Sequence, residues 1–386
     1  KDPFQKAVWF EIGPQLTEGD GKTMGVDLTK NNRAAVRQMT AEGKFIPTEL
    51  AIETIFGCNA KCIMCFIDNP TGRKKTVMSM DLFRFIIDEM EPYKEHVEKF
   101  DLWALGEPAI DPHLIERITY AREKGFRRMA IASNMERLDP PLATDLLESG
   151  IETIIISIDA TTAETSEKIR RGLKFDKIMD NTHNLIEERD RCDYKTRFIV
   201  RYIIQEDIND HEWIDFRNYW QGVVSQARGD DVYAYKEHNW GGYEFKTAEG
   251  SGKVFNIPKK DLLGEQYSDE VERVPCHYAF ESLIILADGS LALCPADFLE
   301  GQFELGKIPT QTPIEAFNSL AYKKMRSLHL DENKNDLSLC ANCTLLYSNI
   351  QRDWTWYEGG RDGRVANSLT KRESVSDYMK PTLSQD

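Results

Sequence analysis

The stretch CNAKCIMC, residues 58–65, places Cys58, Cys62 and Cys65 within eight residues, separated by three residues and then two. Thiolates are good metal ligands, but three is the wrong number for disulfides, which need pairs. It is also one short of the four ligands of a structural zinc site. Three protein ligands suit a catalytic centre that keeps one position open for substrate. On a [4Fe–4S] cube, where each iron normally takes one thiolate, three thiolates leave one iron free. A small molecule with an amine and a carboxylate can chelate that iron. The competing reading is three incidental core cysteines.

A second group of thiols lies in the last third of the chain. Seventeen residues separate Cys276 from Cys294, forty-five more precede Cys340, and two separate it from Cys343. Four thiolates close a site completely, whether around zinc or around an iron–sulfur cluster. The eighth cysteine, Cys192 in EERDRCDYK, falls between a helical and a strand pattern and reads as incidental.

These side chains need a scaffold, and the pattern after residue 45 supplies one. TELAIETIF reads as a strand running into the first thiols. KFDLWALGEP, RMAIASN, ETIIISIDA, RFIVRYIIQ and DVYAYKEH are further strands. Helical patterns alternate with them: SMDLFRFIIDEM with Ser79 as N-cap, HLIERITYAREKG closed by Gly125, PPLATDLLESG, AETSEKIRRG, FDKIMDNTHNLIEERDR and DHEWIDFRNYWQG. Six βα units favour a parallel sheet with right-handed crossovers, two units short of a closed (β/α)8 barrel. Function in such sheets sits at the C-terminal strand ends, where the first thiols fall. ESLIILADGSLALC predicts a hairpin turning at Asp288-Gly289, and PIEAFNSLAYKKMRSLHL predicts one amphipathic helix leading to CANC.

The 386 residues suffice for two or three domains. With 41% hydrophobic and 29% charged residues, the composition is that of an ordinary globular protein. A net charge of −15 argues against a nucleic-acid partner. No apolar run approaches a membrane span, so no membrane partner is expected. The chain opens on Lys1, as a trimmed chain does, which leaves an upstream targeting segment open; what remains reads as cytoplasmic.

C-x3-C-x2-C after a first strand resembles the radical S-adenosylmethionine (SAM) superfamily, and three further motifs follow in the family's order. LGEP resembles its glycine–glutamate motif, which implies that Glu107 accepts from the SAM amino group. ASN puts Ser133 and Asn134 where the third strand approaches the ribose. SIDATTAETSEKIRRG resembles the fourth-strand motif, implying Ser157, Asp159 and Arg170 near the ribose or carboxylate of SAM. Met64 stands where the family usually has an aromatic residue. The likeness spans about residues 48–245. The stretch with the second thiols resembles the Twitch domain, the short form of the SPASM extension, with a spacing close to that of the aminocyclitol dehydrogenases of butirosin biosynthesis.

The resemblance implies an α/β fold: a partial (β/α)6 barrel followed by a small α+β Twitch/SPASM-like iron–sulfur domain. The expected divisions are an N-terminal extension (1–46), the core (47–245), a linker (246–275), the auxiliary domain (276–350) and a tail (351–386). Expected cofactors are SAM and two [4Fe–4S] clusters, held by Cys58, Cys62 and Cys65 and by Cys276, Cys294, Cys340 and Cys343. A flavodoxin- or ferredoxin-type protein is the expected electron donor. The expected reaction is oxidation of a sugar-like, hydroxylated small molecule such as an aminocyclitol, with an electron passing to the auxiliary cluster. The alternatives are maturation of a ribosomally made peptide and epimerisation, and the first 45 residues are short for the recognition module that peptide maturases often carry. Arg201, Tyr235, Glu237 and His238, at the fifth and sixth strand ends, are the candidate catalytic residues.

Overall fold

The computed structural model describes residues 33–67, 73–205, 207–237, 275–298, 303–341 and 343. The expected N-terminal extension and linker (each for the most part) and the tail lie outside these residues, as does His238.

Six parallel strands build the core: β1 (Glu49–Ile52), β4 (Lys99–Asp101), β5 (Met129–Ser133), β6 (Thr153–Ser157), β7 (Arg197–Ile204) and β8 (Asp231–Lys236). Each pairs in parallel with its neighbour in chain order. Between β1 and β4, β2 (Ile55–Phe56) and β3 (Thr76–Val77) form a separate antiparallel ladder. Helices α1 (Arg33–Glu42), α2 (Met80–Met90), α3 (Leu114–Glu123), α4 (Pro140–Glu148), α5 (Ala163–Ile169), α6 (Phe175–Cys192) and α7 (Trp213–Val223) accompany the strands. The α2 helix shows why. Ser79 accepts from the Leu82 N–H at 3.2 Å, and Phe83, Ile86, Ile87 and Met90 recur on one face and are buried. Burying four such side chains contributes about 6–12 kcal/mol.

Alternate strand residues face inward. On the inner face, Ala51, Ala130 and Ala132 are too small to fill the space between the strands, which leaves a cavity instead of the packed centre of a closed barrel. This partial barrel is the fold that the βα count and the family resemblance predicted.

The auxiliary segment does not form a separate layer. After α8 (Tyr278–Glu281), β9 (Ser282–Ile285) pairs in parallel with β1, from Glu49↔Ser282 to Ile52↔Ile285, and β10 (Leu291–Ala292) returns antiparallel. The result is one eight-stranded sheet, ordered β10-β9-β1-β4-β5-β6-β7-β8. The hairpin turns at Asp288-Gly289 as expected. Gly289 has φ +85°, and a Cβ there would lie 2.2 Å from the Ile308 carbonyl oxygen. Glu53, fully buried, locks the junction by accepting from the Ala287 N–H at 3.0 Å and from Arg73, which also donates to Phe298 O at 2.6 Å.

One expectation fails. The single helix expected over PIEAFNSLAYKKMRSLHL is two, α9 (Pro313–Phe317) and α10 (Leu320–Leu330). Asn318 breaks it because its side-chain amide pairs with both backbone groups of Phe45, accepting from N–H at 2.9 Å and donating to C=O at 2.8 Å. Ser319 then caps α10 by accepting from Tyr322 N–H at 3.4 Å. Helix α11 (Ser338–Ala341) carries Cys340. No helix among the described residues is long and apolar enough to cross a membrane.

Candidate active site

The first three thiols occupy the loop that leaves β2 at the C-terminal edge of the sheet. Backbone bonds to the C-terminal end of α5 and the turn after it hold that loop: Lys61 N–H donates to Arg171 O at 2.8 Å and Ile63 N–H to Ile169 O at 2.9 Å. Glu107 N–H donates to Gly57 O at 2.8 Å. Gly106 passes so close that a Cβ would lie 1.9 Å from the Ile55 carbonyl oxygen, so only glycine fits there. Asn134 donates from its amide to Asn59 Oδ1 at 2.9 Å and sits 3.8 Å from Cys58 Sγ.

Cys58, Cys62 and Cys65 all line a cavity of about 740 Å³ that runs along the inner face of the barrel. Burial, and then the Glu107 carboxylate, push the Cys58 thiol well above its ordinary range. Burial pushes Cys62 up to about 12, against the pull of the Arg170 guanidinium. Such thiols ionise only with a strong cation beside them, and iron supplies it. Among the described residues no three His, Cys, Asp or Glu side chains converge as ligands of a single metal ion. A cubane takes each thiolate on a different iron, and the charges of Cys62 and Cys65 both bear on Cys58.

The expected SAM contacts divide into cavity walls and supports. Glu107, Ser133, Asn134, Ser157 and Arg170 line the cavity; Asp159, fully buried, does not. Both Asp159 oxygens are taken. Oδ2 accepts from Arg170 Nη2 at 2.5 Å and Oδ1 from Ile203 N–H at 2.7 Å. Asp159 therefore aims Arg170, which lines the cavity. Glu107 accepts from Ala109 N–H at 3.0 Å and Asn134 N–H at 2.7 Å, and burial raises its pKa against these bonds. The Ser133 side chain also bonds the carboxylate, so of its roughly four acceptor sites one remains for an ammonium group. Met64 is buried and lines the cavity at the position where an aromatic residue was expected.

Of the candidate catalytic residues, Arg201, Tyr235 and Glu237 line the same cavity. Arg201 Nη2 donates to Ser157 Oγ at 2.6 Å, its guanidinium lies 5.6 Å from the Trp103 ring centre, and its Nε is buried without a hydrogen-bond partner among the described residues. Sequence reasoning missed a second charged group on the inner wall. Lys99 Nζ lies 3.0 Å from Asp101 Oδ2, and Glu49 stands on the neighbouring strand. Burial raises the Asp101 carboxyl above its usual range, and Lys99 pulls it back. The signal was present as two charged residues at i, i+2 in KFD, which puts both on one strand face.

The second thiols lie at the opposite end of the sheet. Cys276 precedes α8, hence the start of β9, and Cys294 follows β10, whose direction returns it to that same edge. The four thiols are within electrostatic reach of one another: burial raises Cys294, and Cys343, Cys340 and Cys276 each add to it. Cys276 is pushed up to about 12 by burial and then by Cys343. Buried Lys334 favours the thiolates of Cys276 and Cys340, and burial holds His329 neutral with a pKa of about 4. Tyr278 lines the cavity and lies within electrostatic reach of Cys276 and Cys294, so one cavity has the triplet at one end and the wall of the quartet at the other. Cys192 ends α6, exposed, 3.6 Å from Glu188 Oε1, and is not part of the cavity lining.

A family model described as the radical SAM superfamily matches residues 52–219, and one described as an iron–sulfur cluster-binding domain, SPASM, matches residues 276–344. Among curated proteins the chain is similar to the Fe-coproporphyrin III synthase of Methanosarcina barkeri, 32% identical over 34% of this chain and 32% of that protein. It is similar to molybdenum cofactor biosynthesis protein 1 of Bos taurus, 26% identical over 56% and 32%. It is also similar to the mycofactocin maturase MftC of Mycobacterium tuberculosis, 29% identical over 36% and 34%. The matches thus span about a third of each relative's length. Among solved structures, BtrN in complex with AdoMet and 2-DOIA superposes with a TM-score of 0.50 at 15% identity, covering 77% of this chain and 93% of BtrN. The enzyme anSMEcpe with bound AdoMet and the Cp18Cys peptide gives 0.52 at 16%, covering 77% and 89%. At these identities the likeness is one of fold.

Proposed function

We propose that the chain, which a radical SAM superfamily model matches over residues 52–219 and an iron–sulfur cluster-binding model over 276–344, is a radical SAM enzyme that dehydrogenates a hydroxyl-bearing small molecule such as a sugar or aminocyclitol. The observation that carries this reading is one cavity lined by the three thiols and, elsewhere on its wall, by Tyr278, which lies within electrostatic reach of Cys276 and Cys294 of the set of four. When bound, SAM and a [4Fe–4S] cluster at Cys58, Cys62 and Cys65 supply a 5′-deoxyadenosyl radical, and a cluster at Cys276, Cys294, Cys340 and Cys343 supplies an electron acceptor.

The chain's own residues bind, orient and move the proton. Glu107 accepts from the SAM ammonium, and Arg170, held by Asp159, pairs with its carboxylate. Arg201 presents its unpartnered Nε to a substrate oxygen, with Ser157 and Trp103 fixing the guanidinium. A net dehydrogenation removes one hydrogen atom from carbon, and one proton and one electron from the O–H side. Asp101 accepts that proton on its carboxylate; burial raises its pKa and makes it a stronger base than an exposed aspartate, with the Lys99 ammonium beside it pulling the other way. Tyr235 and Glu237 complete the wall at the β8 end. An external flavodoxin- or ferredoxin-type protein would supply the priming electron.

The test is anaerobic incubation with SAM and candidate cyclitols and sugars, with 5′-deoxyadenosine quantified and products weighed by mass spectrometry. A product lighter by two hydrogens, formed one-for-one with 5′-deoxyadenosine, supports the reading. Peptide modification is the second reading, favoured by the similarity to MftC and by the fold likeness to a peptide-bound enzyme. A cross-linked or oxidised peptide with no turnover of cyclitols would replace the first reading.

A further inference from the structure

Two segments of the quartet are bridged by a side chain outside it. His329, near the end of α10, is only 2% exposed. Its Nδ1 accepts the Cys276 backbone N–H at 3.2 Å, and its Nε2 lies 3.9 Å from Cys340 Sγ. A neutral imidazole holds one ring proton, and the nitrogen that accepts a hydrogen bond is the one without it. The Cys276 N–H therefore fixes the proton on Nε2, which faces Cys340. The same contact excludes the imidazolium, because both of its nitrogens donate.

From this geometry we infer that His329 donates an Nε2–H···S hydrogen bond to the Cys340 thiolate when the quartet holds its cluster, and so raises that cluster's reduction potential. The inference rests on the quartet being the ligand set of an iron–sulfur cluster. Hydrogen bonds to a cluster's sulfurs are one of the levers that set its potential, and a donor favours the reduced, more negative state. Lys334, 5% exposed, acts in the same direction on Cys276 and Cys340. The quartet is thus tuned as an electron acceptor, the role the proposed oxidation needs, and His329 is a positioning and tuning residue that does not touch substrate.

Two substitutions separate this from a histidine that merely fills space. His329→Asn keeps an acceptor near Nδ1 for the Cys276 N–H but has no donor reaching Cys340. His329→Gln carries an amide nitrogen close to the position of Nε2. The full chain, reconstituted anaerobically, is assayed for iron and titrated with reductant under EPR detection. The quartet's signal is the one that persists when Cys58, Cys62 and Cys65 are changed to Ala.

His329→Asn should shift the reduction equilibrium about tenfold toward the oxidised cluster, which is about 59 mV for a one-electron couple, with iron content unchanged. His329→Gln should keep most of the wild-type value. An unshifted His329→Asn with full iron overturns the inference, as does an equal fall in both variants. Loss of the quartet's iron in both variants also overturns it, by making His329 a ligand. Pulsed EPR of the unaltered chain labelled with 15N-histidine, in D2O, gives a check independent of any variant's folding. A weakly coupled 15N with an exchangeable deuteron is expected; no histidine coupling, or the strong coupling of a bound nitrogen, refutes the hydrogen bond. Absence of quartet iron from the unaltered chain would instead refute the ligand assignment beneath it.

Discussion

Asp159→Asn removes one charge and little else. Asp159 sits at φ +68°, a left-handed conformation that asparagine tolerates and alanine does not. The Oδ1 that accepts from Ile203 N–H has its counterpart in asparagine, so the loss falls on Arg170, which is 5% exposed and loses its buried counter-ion. Breaking a buried pair from one side costs about 3–5 kcal/mol, so the midpoint of anaerobic unfolding should fall clearly. SAM affinity should fall as well, because a guanidinium no longer held on its partner makes a poorer contact; a charge-assisted bond contributes about 1.5–3 kcal/mol, roughly 10- to 150-fold in Kd. The assay is anaerobic titration calorimetry with SAM on the wild type, Asp159→Asn, Arg170→Gln and the double variant. If Asp159 acts only through Arg170, the double variant binds SAM no more weakly than Arg170→Gln alone. Additive losses would refute this and return Asp159 to direct contact with SAM.

Other substitutions probe the remaining parts of the site. Gly106→Ala forces a Cβ into the Ile55 carbonyl, 1.9 Å away; the strain, at or above the upper end of the usual 1–3 kcal/mol for overpacking, should displace the thiol loop and lower reconstituted iron, and full iron with unchanged SAM binding would mean the loop yields easily. Glu107→Gln should weaken SAM binding about 10- to 150-fold while leaving iron content intact; unchanged affinity, read by the same calorimetry, would reduce Glu107 to a cap for Ala109 and Asn134. Cys192→Ala should leave iron content and 5′-deoxyadenosine yield unchanged, because Cys192 is exposed at the end of α6 and not part of the cavity lining. Loss of activity, with solvent deuterium in an inverted product, would point to an epimerase.

The barrel was legible because its signals are local. Thiol spacing, strand runs and Ser79 each act within a few residues, and the six βα units follow from them. What escaped the sequence depends on long-range partners. Asn318 splits a well-patterned helix only because Phe45, 273 positions earlier, offers it both backbone groups. The motif marked Asp159, yet it does not reveal that Arg170 and the Ile203 N–H each bond one of its oxygens. His329 lies on the buried face of a helix, where its pattern is that of any apolar position, and only the fold brings it between Cys276 and Cys340. That the auxiliary hairpin would extend the barrel's own sheet beside β1 was likewise a matter of tertiary pairing.

The division of labour between the two thiol sets is tested most directly by SAM cleavage in cysteine variants. Reduced, anaerobically reconstituted protein is incubated with SAM, and 5′-deoxyadenosine is quantified together with iron. Cys62→Ala should abolish cleavage and leave the quartet's iron in place. Cys340→Ala should still cleave SAM while failing to yield the oxidised product. Cleavage that survives Cys62→Ala, or that vanishes in Cys340→Ala with the triplet's iron intact, would contradict the assignment of radical generation to one end of the cavity and electron acceptance to the other.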